Sequence, residues 1–264
     1  MEIISVINQK GGVGKTTTVI NLAAGLSQLK KKILVIDLDP QGNATTGLGL
    51  SNLDNSSDTI YGVLNGSKEI TQVIKKTKFD GLDIITSNVD LSGLEVETAD
   101  DSNRAFILKA KLTPYLNNSR GSYDYVLIDC PPSLSLLTVM ALVSSSSLLV
   151  PLQTEFFALE GLTQLMKTID RIKVNLNPDL KIRGILLTMY DKRNKLSSEV
   201  EKEARDYFNK KVYSTVIPRN VRLSEAPSHG MPVLIYDKSC PGSKSYFNFT
   251  DEFINQELTK ESAA

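Results

Sequence analysis

The chain has 264 residues, 41% of them hydrophobic, and its 30 Lys and Arg side chains balance 30 Asp and Glu. This length and composition favour one domain with a substantial core, and a net charge of zero argues against holding nucleic acid by bulk positive charge. Two cysteines, Cys130 and Cys240, give neither a disulfide framework nor metal-ligand spacing, which fits a reducing cytosol.

The first residues enter an apolar strand directly, so no secretion leader is expected. Apolar runs bounded by turn residues predict strands at 2–8, 32–37, 82–86, 124–129, 147–151, 182–188 and 212–216. Helices are predicted at 15–29, 104–117, 134–144, 158–175, 195–210 and 243–257. Strands alternating with helix-length segments predict an α/β fold: a single layered domain, 1–258, with a mostly parallel twisted sheet flanked by helices. Residues 41–75, rich in Gly, Asn, Ser and Thr, are expected to form loops and short helices with a functional task. The most apolar stretch, Leu134 to Leu152, is broken by four serines and Pro151, so it reads as helix, turn and buried strand, not a membrane span. Residues 259–264 are expected to be a short, disordered tail.

Lys10, Gly11, Gly12, Val13, Gly14, Lys15, Thr16 and Thr17 link the first strand to the first helix. Small residues there let backbone N–H groups close around phosphate oxygens, and the helix N-terminus adds partial positive charge. Against the Walker A pattern G-x-x-x-x-G-K-[ST], Gln9 replaces the first glycine and a second lysine, Lys10, precedes the glycine pair. The next strand ends in Asp37-Leu-Asp39-Pro, and carboxylates at such strand ends face the crevice where α/β sheets bind ligands. Asp39 is placed to orient a water or to communicate with Mg²⁺; a helix cap or loop brace is the other reading of this acidic pair. Tyr125-Val-Leu-Ile-Asp129 reads as a buried Walker B strand, whose aspartate holds Mg²⁺ through its water shell while Thr16 supplies a hydroxyl ligand. Asn194-Lys195-Leu-Ser197 lacks the aspartate of a guanine-reading motif, which disfavours GTP. From Lys167 to Lys244 sixteen Lys and Arg face nine Asp and Glu, a skew that suits either an anionic partner or solvated helix faces. His229, the one histidine, has no evident nucleophile partner and reads as structural.

The two-lysine loop, the Asp37–Asn43 run, the Asp129-Cys-Pro-Pro segment and Ile217–Pro227 together resemble the ParA/MinD group of deviant Walker A, P-loop ATPases, especially the short Soj-like partitioning members. The resemblance runs from Asn8 to about Phe249. It implies that Lys15 holds the β- and γ-phosphates, that Lys10 crosses to a partner subunit's nucleotide, and that Asp39 serves hydrolysis while Asp37 is structural. It also implies that Pro218 and Asn220 lie against adenine, and that Arg193 and Arg222 touch DNA phosphates once two subunits pair. The implied function is an ATP- and Mg²⁺-dependent homodimeric switch, slow alone, which binds double-stranded DNA non-specifically and moves a ParB-like centromere-binding partner. Such a protein is cytoplasmic and nucleoid-associated in its ATP state. The alternative is a MinD-like membrane-associated ATPase. That group ends in a basic amphipathic helix, whereas residues 251–261 carry four acidic side chains against one lysine. A metabolic ligase or reductase of the same superfamily would need substrate or metal ligands that the sequence does not display. An added N-terminal operator-reading domain is not expected either.

Overall fold

The computed structural model describes residues 1–50, 57–118 and 122–261, the side chains of 257–261 excepted. Among these residues eight strands form one sheet: β1 (Glu2–Val6), β2 (Ile33–Asp37), β3 (Ile74–Lys76), β4 (Leu82–Ile85), β5 (Tyr125–Asp129), β6 (Ser147–Gln153), β7 (Lys181–Tyr190) and β8 (Val212–Pro218). Their order is β3-β4-β2-β5-β1-β6-β7-β8, and every pairing is parallel except β3 with β4. Strand β1 therefore lies inside the sheet, between β5 and β6. The C-terminal ends of β1, β2 and β5 are neighbours, and Asp37 and Asp129 are register partners there.

The central strands read as continuous apolar runs because both faces are covered. On one face, Leu34, Ile36, Val126 and Ile128 pack with the helices Ile107–Asn118, Leu136–Ser144 and Ala158–Asn175. On the other, Ile33, Val35, Tyr125 and Leu127 pack with the helices Lys15–Gln28 and Pro241–Glu261. The last helix is tied both to the first helix and to the sheet. Tyr246 Oη and Thr18 Oγ1 share a buried 3.1 Å hydrogen bond, and Arg183 lies 4.3 Å over the Phe253 ring while donating to Phe253 O and to Glu2.

The structure departs from the predicted elements at their ends and at one edge. The antiparallel β3 is absent from the prediction because three residues, two of them lysines, show no apolar period; lysines on an edge strand oppose further pairing. The predicted 104–117 helix divides into a 3₁₀ turn, Arg104–Phe106, and the helix Ile107–Asn118. Strand β1 stops at Val6, where the loop begins, whereas β7 runs on to Tyr190. The last helix starts at Pro241, whose missing N–H is no loss in a first turn, and continues to Glu261. The 258 boundary thus falls inside a helix, and only 262–264 of the expected tail lie outside the described residues.

Gly25 marks the closest approach of the two helices: a Cβ there would collide with Thr250 Oγ1 and stand 3.0 Å from Thr250 Cβ. Gly25→Ala should lower stability by about 1–3 kcal/mol through overpacking. Urea titration should show that loss, and Thr250→Ala in the same chain should restore most of it.

Candidate nucleotide-binding site

The loop after β1 is held from below before it meets any ligand. Asn8 Nδ2 donates to Pro151 O at 2.8 Å, Lys10 N donates to Asn8 Oδ1 at 3.0 Å, and Thr188 Oγ1 donates to Val13 O at 2.8 Å. Gly12 and Gly14 take φ of +75° and +89°, a region where a side chain would be strained. The following helix has no side-chain cap at Gly14, so its first N–H groups are left for an anion. They open on a cavity of about 490 Å³ lined by Gly11, Gly12, Gly14, Lys15, Thr16, Thr17 and Asp39. A second cavity, about 100 Å³, shares Gly14 and Thr17 and is lined by Pro218 and Asn220. The structure thus gathers the predicted phosphate and adenine residues, apart from Val13 and Lys10. Val13 is buried, with its carbonyl engaged by Thr188.

Asp37 and Asp129, both fully buried, end adjacent strands but are treated differently by their surroundings. Asp37 accepts from Thr45 N at 2.8 Å, Thr45 Oγ1 at 2.7 Å and Asp39 N at 3.2 Å. Burial pushes its carboxyl up to about 6 in spite of these donors. Neither oxygen of Asp129 has a hydrogen-bond partner. Burial, and then the Asp37 charge, raise its carboxyl well above the usual range, while the nearby Thr16 hydroxyl and the Lys15 ammonium act in the opposite direction. An orphaned buried carboxylate beside Thr16 is a set that a divalent cation fits, since hard cations take oxygen ligands and offset such charge. Asp39 lines the cavity, is 6% exposed and accepts from Gln41 N at 3.0 Å. Asp37 is therefore the brace, and Asp39 is the acid that faces the open space.

The two lysines part company. Lys15 is buried at the cavity wall, donates to Lys10 O at 3.2 Å, and has its pKa lowered by burial against the pull of Asp129. Lys10 is half exposed and ion-paired with Glu155, just past the end of β6. Sequence reasoning missed Glu155, although an acid just past a strand beside β1 was a readable signal. It also missed Thr45, whose contact with Asp37 spans eight residues and has no periodic signature. Arg193 and Arg222 lie outside both cavities, exposed on the loop after β7 and on the short helix Val221–Glu225, and Asn220 Oδ1 caps that helix at Arg222 N. Cys130 and Cys240 are buried free thiols.

An uncapped helix after a glycine loop, one lysine in the cavity and another at its rim, and an unpartnered strand-end aspartate define a P-loop nucleotide-binding protein of the two-lysine class. A family profile described as AAA domain (AAA_31) matches residues 1–182. The chain is 50% identical over 264 residues to the "Chromosome partitioning protein ParA" of Caulobacter vibrioides, covering 100% of this chain and 98% of that one. It is 47% identical to the "Sporulation initiation inhibitor protein Soj" of Bacillus subtilis over 251 residues, covering 95% and 97%. Among solved structures, cobyrinic acid a,c-diamide synthase from Mycobacterium smegmatis with bound ADP and magnesium superposes with a TM-score of 0.80 at 34% identity, covering 95% and 93%. The chain belongs to the ParA/Soj family of partitioning ATPases.

Thr45 gives the sharpest test of the brace, because its hydroxyl donates to Asp37 and accepts from Ser87 N at 3.0 Å. Thr45→Val should cost about 1–3 kcal/mol by leaving buried polar groups unpaired. Chemical denaturation at pH 7 reads that loss, and Thr45→Ser should largely avoid it.

Proposed function

We propose that this chain is a nucleotide-operated switch that pairs with a second copy around ATP and Mg²⁺, binds duplex DNA without regard to sequence, and releases it on hydrolysis to ADP and phosphate. The observation that carries this reading is the buried, unpartnered Asp129 carboxylate beside Lys15 and Thr16 at an uncapped helix N-terminus. The glycine loop N–H groups and Lys15 bind the β- and γ-phosphates, Pro218 and Asn220 border the adenine, and Asp39 orients the attacking water. Thr16 and Asp129, the latter through water, hold Mg²⁺, which when bound supplies charge neutralisation at the phosphates. Lys10 crosses to the partner's nucleotide, so its ion pair with Glu155 must open on pairing.

Arg193 and Arg222 supply phosphate contacts, which position a protein on DNA but carry no base information. A single neutral subunit holds a duplex poorly; two copies raise avidity through effective concentration. Names of relatives at 50% and 47% identity favour partitioning over the amide-forming chemistry named for the structure at 34%. A ParB-like protein would be the partner that accelerates slow basal hydrolysis. The protein would then be cytoplasmic and nucleoid-associated while ATP is bound. No helix among the described residues is long and apolar enough to cross a membrane, and the acidic 251–261 segment suits an anionic leaflet poorly.

The test is sedimentation of random-sequence plasmid DNA and of anionic liposomes with ATP, ADP or no nucleotide. Retention on DNA with ATP alone is the expected result; retention on liposomes, or equal DNA binding with ADP, would remove the reading. Lys15→Ala should lose ATP affinity at least tenfold, measured by fluorescent-nucleotide titration, because a buried charge-assisted contact to phosphate is worth more than about 1.4 kcal/mol. Lys10→Ala should keep that affinity and fail to form dimers in size-exclusion chromatography with ATP. Asp39→Ala should still bind ATP and DNA but turn over at least about a hundredfold more slowly, in line with loss of a water-positioning group. Rapid phosphate release by that variant would take Asp39 out of the mechanism.

A further inference from the structure

Arg193, on the loop after β7, and Arg222, on the short helix after β8, stand on neighbouring connections at the C-terminal end of the sheet. Tyr190 on β7 is the register partner of Pro218 on β8, and Arg219 N donates to Tyr190 O at 3.1 Å. Five cations gather there: Lys192, Arg193, Lys195, Arg219 and Arg222. The two arginines expected to meet phosphate are already engaged by carboxylates of the same loops. Asp191 Oδ1 accepts from Arg193 Nε at 3.1 Å and from Arg193 N at 3.0 Å, while Asp191 Oδ2 accepts from Nη2 at 3.0 Å. Arg222 Nη1 donates to Glu225 Oε2 at 2.7 Å, and its Nε lies 3.5 Å from Asp237 Oδ2. Asp237 is itself fixed, because its other oxygen accepts from Ser239 N, Ser239 Oγ and Cys240 N.

The Arg193 side chain is 91% exposed, yet the Nε–Nη2 edge of its guanidinium is taken by one carboxylate. A carboxylate and a phosphate compete for that same planar fork of donors. Acids two and three residues from their arginines stay within reach however the loops move, so the competition is built into the chain.

We propose that Asp191 and Glu225 are intramolecular stand-ins for phosphate, which clasp Arg193 and Arg222 so that a polyanion competes with a carboxylate for donors at each arginine. This rests on the reading above, in which the polyanion is duplex DNA. An exposed ion pair shifts an equilibrium by up to about fivefold, too little to prevent binding but enough to set its threshold. One subunit, with one clasped copy of each arginine, falls below that threshold; two paired subunits pass it through effective concentration. The acids thus make DNA retention depend on pairing more steeply than unopposed arginines would.

The experiment measures affinity of the full chain with ATP for a random-sequence duplex, by fluorescence anisotropy across a salt series. Asp191→Asn and Glu225→Gln are compared with Glu95→Gln, an equal charge change on the helix Leu94–Glu97 that follows β4, at the far end of the sheet. Each clasp substitution should tighten binding by about two- to fivefold, and Glu95→Gln should do so by less. The gain should vanish when Asp191→Asn is placed in an Arg193→Ala chain, or Glu225→Gln in an Arg222→Ala chain, because the acid then has nothing to release. Equal affinity of parent and clasp variants would overturn the inference. So would a gain that persists without the arginine, or one that Glu95→Gln matches. If the parent holds no duplex with ATP while the Asp191→Asn/Glu225→Gln chain does, the clasp stands and the DNA reading of the parent falls; if neither holds it, both fall.

Discussion

Two carboxylates end neighbouring strands in the dry centre of this protein, and only one of them is held by well-formed hydrogen bonds. A buried ionised group without partners is among the most expensive features a fold can carry. Asp37 is spared by Thr45 and the Asp39 backbone, and in return it fixes the turn that sets Asp39 at the cavity wall. Asp129 is left bare. The surrounding architecture follows from that asymmetry: a parallel sheet brings the two strand ends together, a glycine loop leaves room beside them, and Lys15 supplies nearby positive charge.

A second pattern concerns cations expected to act on another molecule. Lys10, Arg193 and Arg222 are each engaged by an acid of their own chain: Glu155, Asp191 and Glu225. Zero net charge is therefore not a uniform mixture of signs. At these positions it is a set of local pairings between cations and acids of the same chain.

The fold was legible where residues repeat with a period or end in a breaker. Strands β2, β5 and β6 and the Ala158–Asn175 helix lie where apolar runs place them. Strand β3 was not, since pairing to β4 rather than local composition makes it a strand. The site divides in the same way. Gly11 to Thr17, Asp39 and Asp129 sit next to glycines or at strand ends and announce themselves locally. Glu155 matters only through a contact with a lysine far away in sequence, and Thr45 through a loop contact with Asp37 that follows no period. Asn220 was read as lying against adenine; its side-chain oxygen also caps the helix that carries Arg222, a role only the coordinates display.

The final helix has a consequence for how the molecule is made. Tyr246 bonds to Thr18, one residue beyond the phosphate loop, and Phe249 and Phe253 complete the core beneath the first helix. Domains emerge from the ribosome N-terminal end first. The phosphate loop thus leaves the tunnel well before the surface that steadies its helix. A nascent chain would carry the glycine loop and Lys15 long before it could hold them in place. Copies lacking the final helix would thus be poor sinks for ATP, and the switch would become operable only once that helix has docked.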